Sequence, residues 1–344
     1  MIAIVAALDW FGRLLARPAL AVRGRRAPQW LTVLLYHRVM PRPDGDFALD
    51  KDVVDATPES FDRHMAFLAA RTTPIDLAQL LAFRRGEAAL PRNPVLVTFD
   101  DGYLDNRQHA LPILRRHGVR ALFFVASSYV GQRRLFWWDR LAYLFHHAQV
   151  ASGRLSYPTD MVLRLGDDRR RSLRTALRIV KTHRGLDLER FLAGLAEAFE
   201  VVWDADLDRR LTDENIMTWD DVRALREGGM DIGSHTRTHR VLDTVDPRAL
   251  PDELVESKAE IERAIGAKVA SLSYPVGRAV RRLPLIENAV RDAGYEIGFS
   301  VESKPNRLAA TFDPFNVTRV PVNGSWTHHR LAAVVAAPEL AGAV

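Results

Sequence analysis

Residues 95–103 of this chain read VLVTFDDGY, an apolar run that ends in two adjacent carboxylates, Asp100 and Asp101, and a glycine. An apolar run without polar alternation is typical of a strand buried on both faces of a parallel sheet. In such sheets, ligands bind at the carboxyl ends of the strands. Two neighbouring carboxylates there repel each other unless a cation or a shared proton relieves the repulsion. The other interpretation is a turn or a helix N-cap, which an Asp-Gly pair also favours.

Six other short apolar runs are similar to this one, and helical patterns lie between many of them. The seven predicted strands are Leu31–Tyr36, Val95–Phe99, Ala121–Val125, Asp231–Gly233, Ser271–Tyr274, Ile297–Ser300 and Val317–Val320. Buried strands that alternate with helices indicate a parallel sheet covered on both faces. Together they predict an α/β fold, a (β/α) barrel of about seven parallel strands.

The segment at about 131–215 interrupts this alternation, because it shows no strand pattern and reads as polar and helical. We interpret it as a helical insertion within a single barrel domain that spans 29–330. Residues 1–28 are then an N-terminal amphipathic helix and linker, and residues 331–344 are a C-terminal tail.

Two features of the insertion have more than one interpretation. Phe136, Trp137 and Trp138 could stack on the faces of sugars, but such rings more often anchor a segment to its domain. The many arginines of the insertion could bind an acidic polymer or an anionic lipid, whereas a charge run of this kind is usually a solvated helix face.

The composition is that of an ordinary globular protein: of 344 residues, 47% are hydrophobic and 26% are charged. This excludes collagen-like, coiled-coil and wholly disordered chains. The chain has no cysteine, which excludes disulfides, thiolate zinc sites and cysteine nucleophiles. The net charge of +5 is too small over this length to indicate nucleic acid as a partner.

The N-terminus is apolar over residues 1–8, and Arg13, Arg17, Arg23, Arg25 and Arg26 follow. A secretory signal has the opposite order, with its positive charge first. We therefore expect an amphipathic helix that either contacts a membrane peripherally or packs on the domain's own surface. This favours a cytoplasmic location, or a peripheral one on the inner membrane, over secretion.

A second group of polar residues, Ser234-His235-Thr236-Arg237-Thr238-His239, directly follows the predicted strand 231–233. Histidines at i and i+4 lie on one face of a helical turn, a spacing that suits two imidazoles on one zinc ion. The usual alternative is a pair of surface histidines. One carboxylate and two imidazoles would leave coordination positions open for water and substrate, as in a catalytic metal site.

In order along the chain, the motifs Thr-Phe-Asp-Asp-Gly at 98–102, Ser-His-Thr-x-x-His at 234–239 and Tyr-Pro-x-Gly at 274–277 resemble those of the polysaccharide deacetylases. This is the NodB-homology group, carbohydrate esterase family 4, whose fold is a distorted (β/α) barrel. The match spans roughly 31–322, and its first two motifs together are highly specific. The Tyr-His-Arg-Val element at 36–39 resembles one found in the branch of the family that acts on bacterial exopolysaccharides. This resemblance makes His37 a candidate catalytic residue. A structural histidine is an equal alternative there.

The resemblance implies that Asp100 is the general base and that Asp101, His235 and His239 hold a divalent metal. The metal is commonly zinc, with cobalt, nickel and manganese as alternatives. Metal-activated water would remove N-acetyl groups from the amino sugars of a bacterial polysaccharide or a lipid-linked glycan. Acetate and a free amine would be the products.

Substrate and oxyanion contacts are expected from the backbone N–H near Tyr103 and from Tyr274 and Pro275. The sequence departs from the family at Ser273, where many members have an arginine that orients the base. Arg319, at the end of the last predicted strand, is the candidate substitute.

The sequence leaves other functions open. One is an O-deacetylase or a cyclic-amide hydrolase on the same barrel. Another is a catalytically weak glycan-binding pseudoenzyme, since the family's late tryptophan-aspartate motif and its C-terminal general-acid histidine are not recognisable.

Overall fold

Seven parallel strands close into a barrel in a computed structural model that describes residues 2–25, 28–302, 305–308 and 312–338. They are β1 (Trp30–Tyr36), β2 (Pro94–Phe99), β3 (Ala121–Val125), β4 (Asp231–Ser234), β5 (Ser271–Ser273), β6 (Ile297–Val301) and β7 (Val317–Pro321). Each pairs with the next in sequence, and β7 returns to β1. This confirms the predicted distorted (β/α) barrel, and the predicted strand ends differ from the observed ones by at most one residue.

The barrel is irregular at two seams. The pairing of β4 with β5 has one register pair, Leu272 with Ser234, and β7 pairs with β1 only through its last two residues. The first seam, by contrast, aligns β1 with β2 over five consecutive residues. The strands thus reach different heights, which distorts the barrel.

Helices cover the outside of the barrel. Those of the described residues are α1 (Ile2–Leu14), α2 (Ala16–Arg23), α3 (Pro58–Arg71), α4 (Leu77–Arg84), α5 (Leu111–Arg116), α6 (Ser127–Gln132), α7 (Trp137–His146), α8 (Arg169–Thr182), α9 (Leu188–Ala198), α10 (Ala205–Asn215), α11 (Trp219–Glu227), α12 (Ser257–Ile265), α13 (Pro284–Asp292) and α14 (His328–Ala336). Short 3₁₀ turns lie at Lys51–Val53, Leu242–Thr244, Pro247–Ala249 and Pro275–Gly277, and π turns at Asn106–Ala110 and Asp252–Glu256.

Short strands lie outside the barrel. Arg38–Val39 pairs with Val54–Ala56, Thr73–Pro74 extends the sheet beside β2, and Asn306–Arg307 pairs with β1. Within the insertion, Ser152–Leu155 and Met161–Arg164 form an antiparallel hairpin.

This hairpin corrects the expectation that the insertion has no strands. Its strands have four residues each, too few for a clear alternation in the sequence. Tertiary packing stabilises it: a Cβ atom at Gly153 would lie 2.7 Å from the Phe199 ring. The rest of the insertion, α7 to α10, is helical as predicted.

The N-terminal helices α1 and α2 pack against α14. Leu8 and Leu20 are buried, and the Arg23 Nη1 atom donates hydrogen bonds to the Val335 and Ala336 carbonyl oxygens at the end of α14. The segment therefore packs on the domain's own surface, although Trp10 remains 58% exposed. The other alternative, a peripheral membrane contact, stays a prediction. Every helix among the described residues is too short or too polar to cross a lipid bilayer.

The boundary predicted for the C-terminal tail is wrong. Residues 331–336 belong to α14 and are buried, because Leu331, Val334 and Val335 contribute to the main core. Within the predicted terminal segments, Met1, 26–27 and 339–344 lie outside the described residues.

Candidate active site

The alternation of side chains along the strands brings several polar residues to one end of the barrel. Successive residues of a strand face opposite sides, and Leu96 of β2 and Val317 of β7 lie in the apolar cluster that fills the barrel. Steps of two residues lead from Leu96 to Asp100 and from Val317 to Arg319, so these side chains face the same side as the cluster. The same alternation along β1 places His37, directly after this strand, on that side too. The site therefore lies at the carboxyl ends of the strands, where (β/α) barrels bind their ligands.

Asp101, His235 and His239 form a compact, buried group whose ligand atoms all lie within 4.8 Å of one another. The Nε2 atoms of both histidines are 3.5 Å from the Asp101 Oδ1 atom. Asp101 comes directly after Asp100 at the end of β2, and His235 comes directly after β4. Asp101 and His235, which are 134 positions apart in sequence, are thus brought together by the closure of the barrel.

The two histidines are not on a helical turn, which corrects that part of the expectation. They lie on a loop after β4, in which Thr236 and His239 have left-handed φ angles of +63° and +54°. Asp101 also has a positive φ, +79°. Non-glycine residues pay a conformational cost for such backbone angles and cluster at functional sites.

The electrostatics of this group suit a divalent cation. Burial lowers the pKa of His235 and His239, so both imidazoles are neutral at pH 7, as ligands must be. Burial also raises the pKa of Asp101 to about 8, a shift that His37 opposes and Asp100 increases. A buried carboxylate of this kind needs a cation to remain ionised.

The hydrogen bonds around the histidines agree with this donor set. The Nδ1 atom of His235 is 2.9 Å from the Ser273 carbonyl oxygen, to which it donates a hydrogen bond; this fixes the tautomer and leaves Nε2 free to coordinate. His239 Nδ1 is buried without a partner among the described residues. The three side chains therefore fit a metal ion of the class that binds aspartate and imidazole together.

Asp100 is held by Arg319 in a two-pronged ion pair. Arg319 Nη1 donates to Asp100 Oδ1 at 2.6 Å, and Nη2 donates to Oδ2 at 2.8 Å. Ser273 Oγ joins both, at 2.7 Å from Arg319 Nη2 and 3.1 Å from Asp100 Oδ2. Burial disfavours the charged carboxylate, but Arg319 outweighs it and holds the pKa of Asp100 well below its usual range. Asp100 is thus an ionised, rigidly oriented base at neutral pH.

His37 lies beside the two aspartates and is paired with Asp55. Its Nδ1 atom is 2.9 Å from Asp55 Oδ2, and its backbone N–H donates to the same oxygen at 2.6 Å. Burial works against the imidazolium, but Asp55 outweighs it, and Asp101 and Asp100 add to the shift, so the pKa of His37 is raised to about 9. The His37 side chain is 26% exposed, enough to meet a ligand. His37 therefore carries a proton at pH 7.

Asp55 was missed in the sequence analysis. It lies on the three-residue strand Val54–Ala56, outside the barrel and outside every motif. Only its pairing with the strand that follows His37 brings it there.

The predicted substrate residues Tyr274 and Pro275 are buried, and their role as substrate contacts stays a prediction. The Tyr274 hydroxyl donates to the Phe315 carbonyl oxygen at 2.7 Å, so this side chain packs the barrel wall. Tyr103 is also fully buried, and its hydroxyl donates to Asp139 Oδ2 at 2.8 Å. Its backbone N–H as an oxyanion donor stays a prediction.

The aromatic residues that open the insertion anchor it at the edge of the site. Phe136, Trp137 and Trp138 are all buried. Trp138 Nε1 donates to the Tyr103 hydroxyl at 2.7 Å, and the Trp138 ring lies 4.4 Å from the His239 ring, centre to centre. The insertion is therefore in direct contact with a candidate metal ligand.

Comparison with known proteins agrees with this geometry. The sequence model of the polysaccharide deacetylase family matches residues 87–165 and 193–298. The chain is 20% identical over 279 residues to YxkH of Bacillus subtilis (strain 168), a protein named for the same family; the alignment covers 80% of this chain and 66% of that protein. The chain thus spans just under two thirds of the length of this relative.

Two solved structures share the fold. One is the Streptococcus pyogenes deacetylase PplD in complex with acetate, with a TM-score of 0.57, 14% identity and coverage of 89% of this chain and 97% of that chain. The other is IcaB from Ammonifex degensii, with a TM-score of 0.57, 19% identity and coverage of 90% and 99%. At sequence identities this low, the comparison shows that the two proteins share the fold of this chain.

Proposed function

Because the chain belongs to the polysaccharide deacetylase family, hydrolases that act on carbon–nitrogen bonds, we propose that it removes N-acetyl groups from amino sugars with the help of a divalent metal. The substrate would be a bacterial polysaccharide or a lipid-linked glycan. The observation that carries this proposal is the meeting of an ionised base, Asp100, with the candidate ligands Asp101, His235 and His239 at one end of the barrel.

Asp101, His235 and His239 would hold the cation, whose chemistry there is polarisation of the acetamide carbonyl and a lowered pKa for water. Asp100 accepts the proton of the attacking water as the new carbon–oxygen bond forms. Arg319 and Ser273 keep Asp100 ionised and oriented toward that proton. The expected donor to the developing oxyanion is the backbone N–H of Tyr103.

His37 donates a proton to the sugar nitrogen as the carbon–nitrogen bond breaks, so that acetic acid and a neutral amine leave. At neutral pH the acetic acid then loses its proton to water and becomes acetate. An amine anion is a very poor leaving group, and this proton is needed for an amide far more than for an ester. The protonated His37–Asp55 pair therefore favours N-deacetylation over O-deacetylation. It also counts against a pseudoenzyme, because an acid and an oriented base both lie beside the ligands.

The proposal is tested by measuring acetate release from N-acetylglucosamine oligomers and bacterial envelope fractions, with and without added zinc or cobalt. We expect metal-dependent release that a chelator stops. O-acetylated sugars of matched structure should react much more slowly. Binding of glycan without acetate release at saturating metal would contradict the proposal.

We expect His37→Asn to lower kcat/KM by about a hundredfold, because a positioned proton donor contributes that much or more. Wild-type activity should fall as the pH rises through about 9, where His37 loses its proton. The variant should lack this alkaline decline, which a pH profile of kcat/KM measures.

The matched control is His117→Asn. His117 also pairs with an aspartate, Asp62, at 2.7 Å, but on the outer surface. It should leave both the rate and the pH profile unchanged. An unaltered alkaline decline in His37→Asn would mean that another group supplies the proton.

A further inference from the structure

A cleft of about 360 Å³ lies between the loop 47–52, helix α7 and the arginine-rich helix α8 of the insertion. Phe47, Leu49 and Trp138 give it apolar walls. Its concave shape and size suit a sugar ring, and aromatic side chains can meet the C–H faces of such rings.

The cleft borders the candidate metal centre. Trp138 lines the cleft, and its ring also contacts the His239 ring. The loop that forms the opposite wall is fixed to the same helix, because the Asp50 backbone N–H donates to Asp139 Oδ1 at 2.9 Å. Lys181, near the end of α8, interacts electrostatically with both Asp50 and His239. A glycan chain whose N-acetyl group lies at the metal centre would therefore extend into this cleft.

The cleft is basic. Its lining contains four cationic residues against two acidic ones: Lys51, Arg169, Arg170 and Arg174 against Asp50 and Asp52. Arg169 Nε donates a hydrogen bond to the Leu165 carbonyl oxygen. Arg170 and Arg174 are exposed and make no hydrogen bond or ion pair with any described residue.

These two unpaired arginines lie on one face of α8, since residues four apart are neighbours on a helix. Lys181, two turns beyond Arg174, continues this stripe toward the metal centre. Guanidinium groups bind carboxylates, phosphates and sulfates through paired hydrogen bonds. The stripe therefore has the chemistry to bind an acidic group on a sugar next to the reacting one.

We propose that this cleft is a subsite for an anionic sugar residue, so that the substrate is an acidic glycan and not a neutral one. The inference rests on the proposed function, because it takes the N-acetyl group to lie at the metal centre. A membrane surface fits the observations less well, since the free arginines line a concavity beside that centre.

The test compares binding of two probes: a hyaluronan hexasaccharide, which alternates N-acetylglucosamine with glucuronate, and the same oligosaccharide with its carboxyl groups reduced to alcohols. Calorimetry at low ionic strength should show at least about tenfold tighter binding of the charged form. The double variant Arg170→Ala/Arg174→Ala should lose this preference, and 0.5 M salt should weaken it in the wild type. Arg171→Ala removes an exposed arginine of the same helix that lies outside the cleft, and it should bind as the wild type does.

Equal affinity of the wild type for the two probes, or an unchanged preference in the double variant, would overturn the inference. So would arginine-dependent binding to phosphatidylglycerol vesicles without binding to the oligosaccharide, which would assign the stripe to a membrane. Acetate release is measured separately: its absence would contradict the proposed function, whereas release without any preference for charge would contradict only the acidic substrate. Circular dichroism of each variant checks that it is folded.

Discussion

Asp100→Asn should lower kcat for acetate release by about 10³-fold, within the range that removal of a positioned base produces. The asparagine amide keeps the shape of the side chain but cannot accept a proton from water. Asp101, His235 and His239 are unchanged, so the metal content should stay near one ion per chain. Rates at saturating metal, together with metal analysis after dialysis, measure both effects.

This substitution also removes the partner of a fully buried arginine, which carries a stability cost of about 3–5 kcal/mol. Asp105→Asn is the matched control, because Asp105 forms a similarly buried pair with Arg38 at 2.8 Å. Asp105→Asn should lower the melting temperature as much but reduce kcat far less. Equal losses of activity in the two variants would mean that stability alone explains the result, and Asp100 would not be the base.

His235→Ala should abolish metal binding and reduce acetate release to the background level. Two remaining protein ligands are fewer than the three that catalytic zinc sites use. Elemental analysis and calorimetric titration with zinc should both show near-zero occupancy. Asp101→Asn should behave in the same way, because it removes the anionic ligand.

His37→Asn provides the control for this loss, since it leaves all three candidate ligands in place. It should bind the metal as tightly as the wild type while turning over slowly. One tightly bound ion in His235→Ala would show that the metal lies elsewhere, and the assignment of the ligands would be wrong.

The barrel and its central group were predictable because Asp100, Asp101 and His235 each lie within two residues of the end of a predicted strand. Strand ends gather at one edge of a closed sheet, so sequence order was enough to place these residues together. Arg319 was also within reach: it is two residues from Val317, a step that keeps a side chain on the inner face of its strand.

Other parts of the site could not be predicted from sequence. Asp55 lies on a short strand whose pairing is decided by tertiary contacts and not by a local pattern. Tyr274 stands within a motif, yet its hydroxyl finds a carbonyl partner inside the wall of the barrel. The helical turn expected for His235 and His239 was wrong because equal spacing also occurs in a loop with left-handed residues.

Among the described residues, the last strand of the barrel pairs with the first, β7 with β1, and helix α1 packs against α14. Contacts between residues about 300 positions apart carry a high loop-closure entropy and slow folding. During synthesis, β1 leaves the ribosome long before its neighbour β7 exists, so one of its edges stays open to unwanted pairing. The barrel can therefore close only after β7 and α14 have been translated and are free to dock.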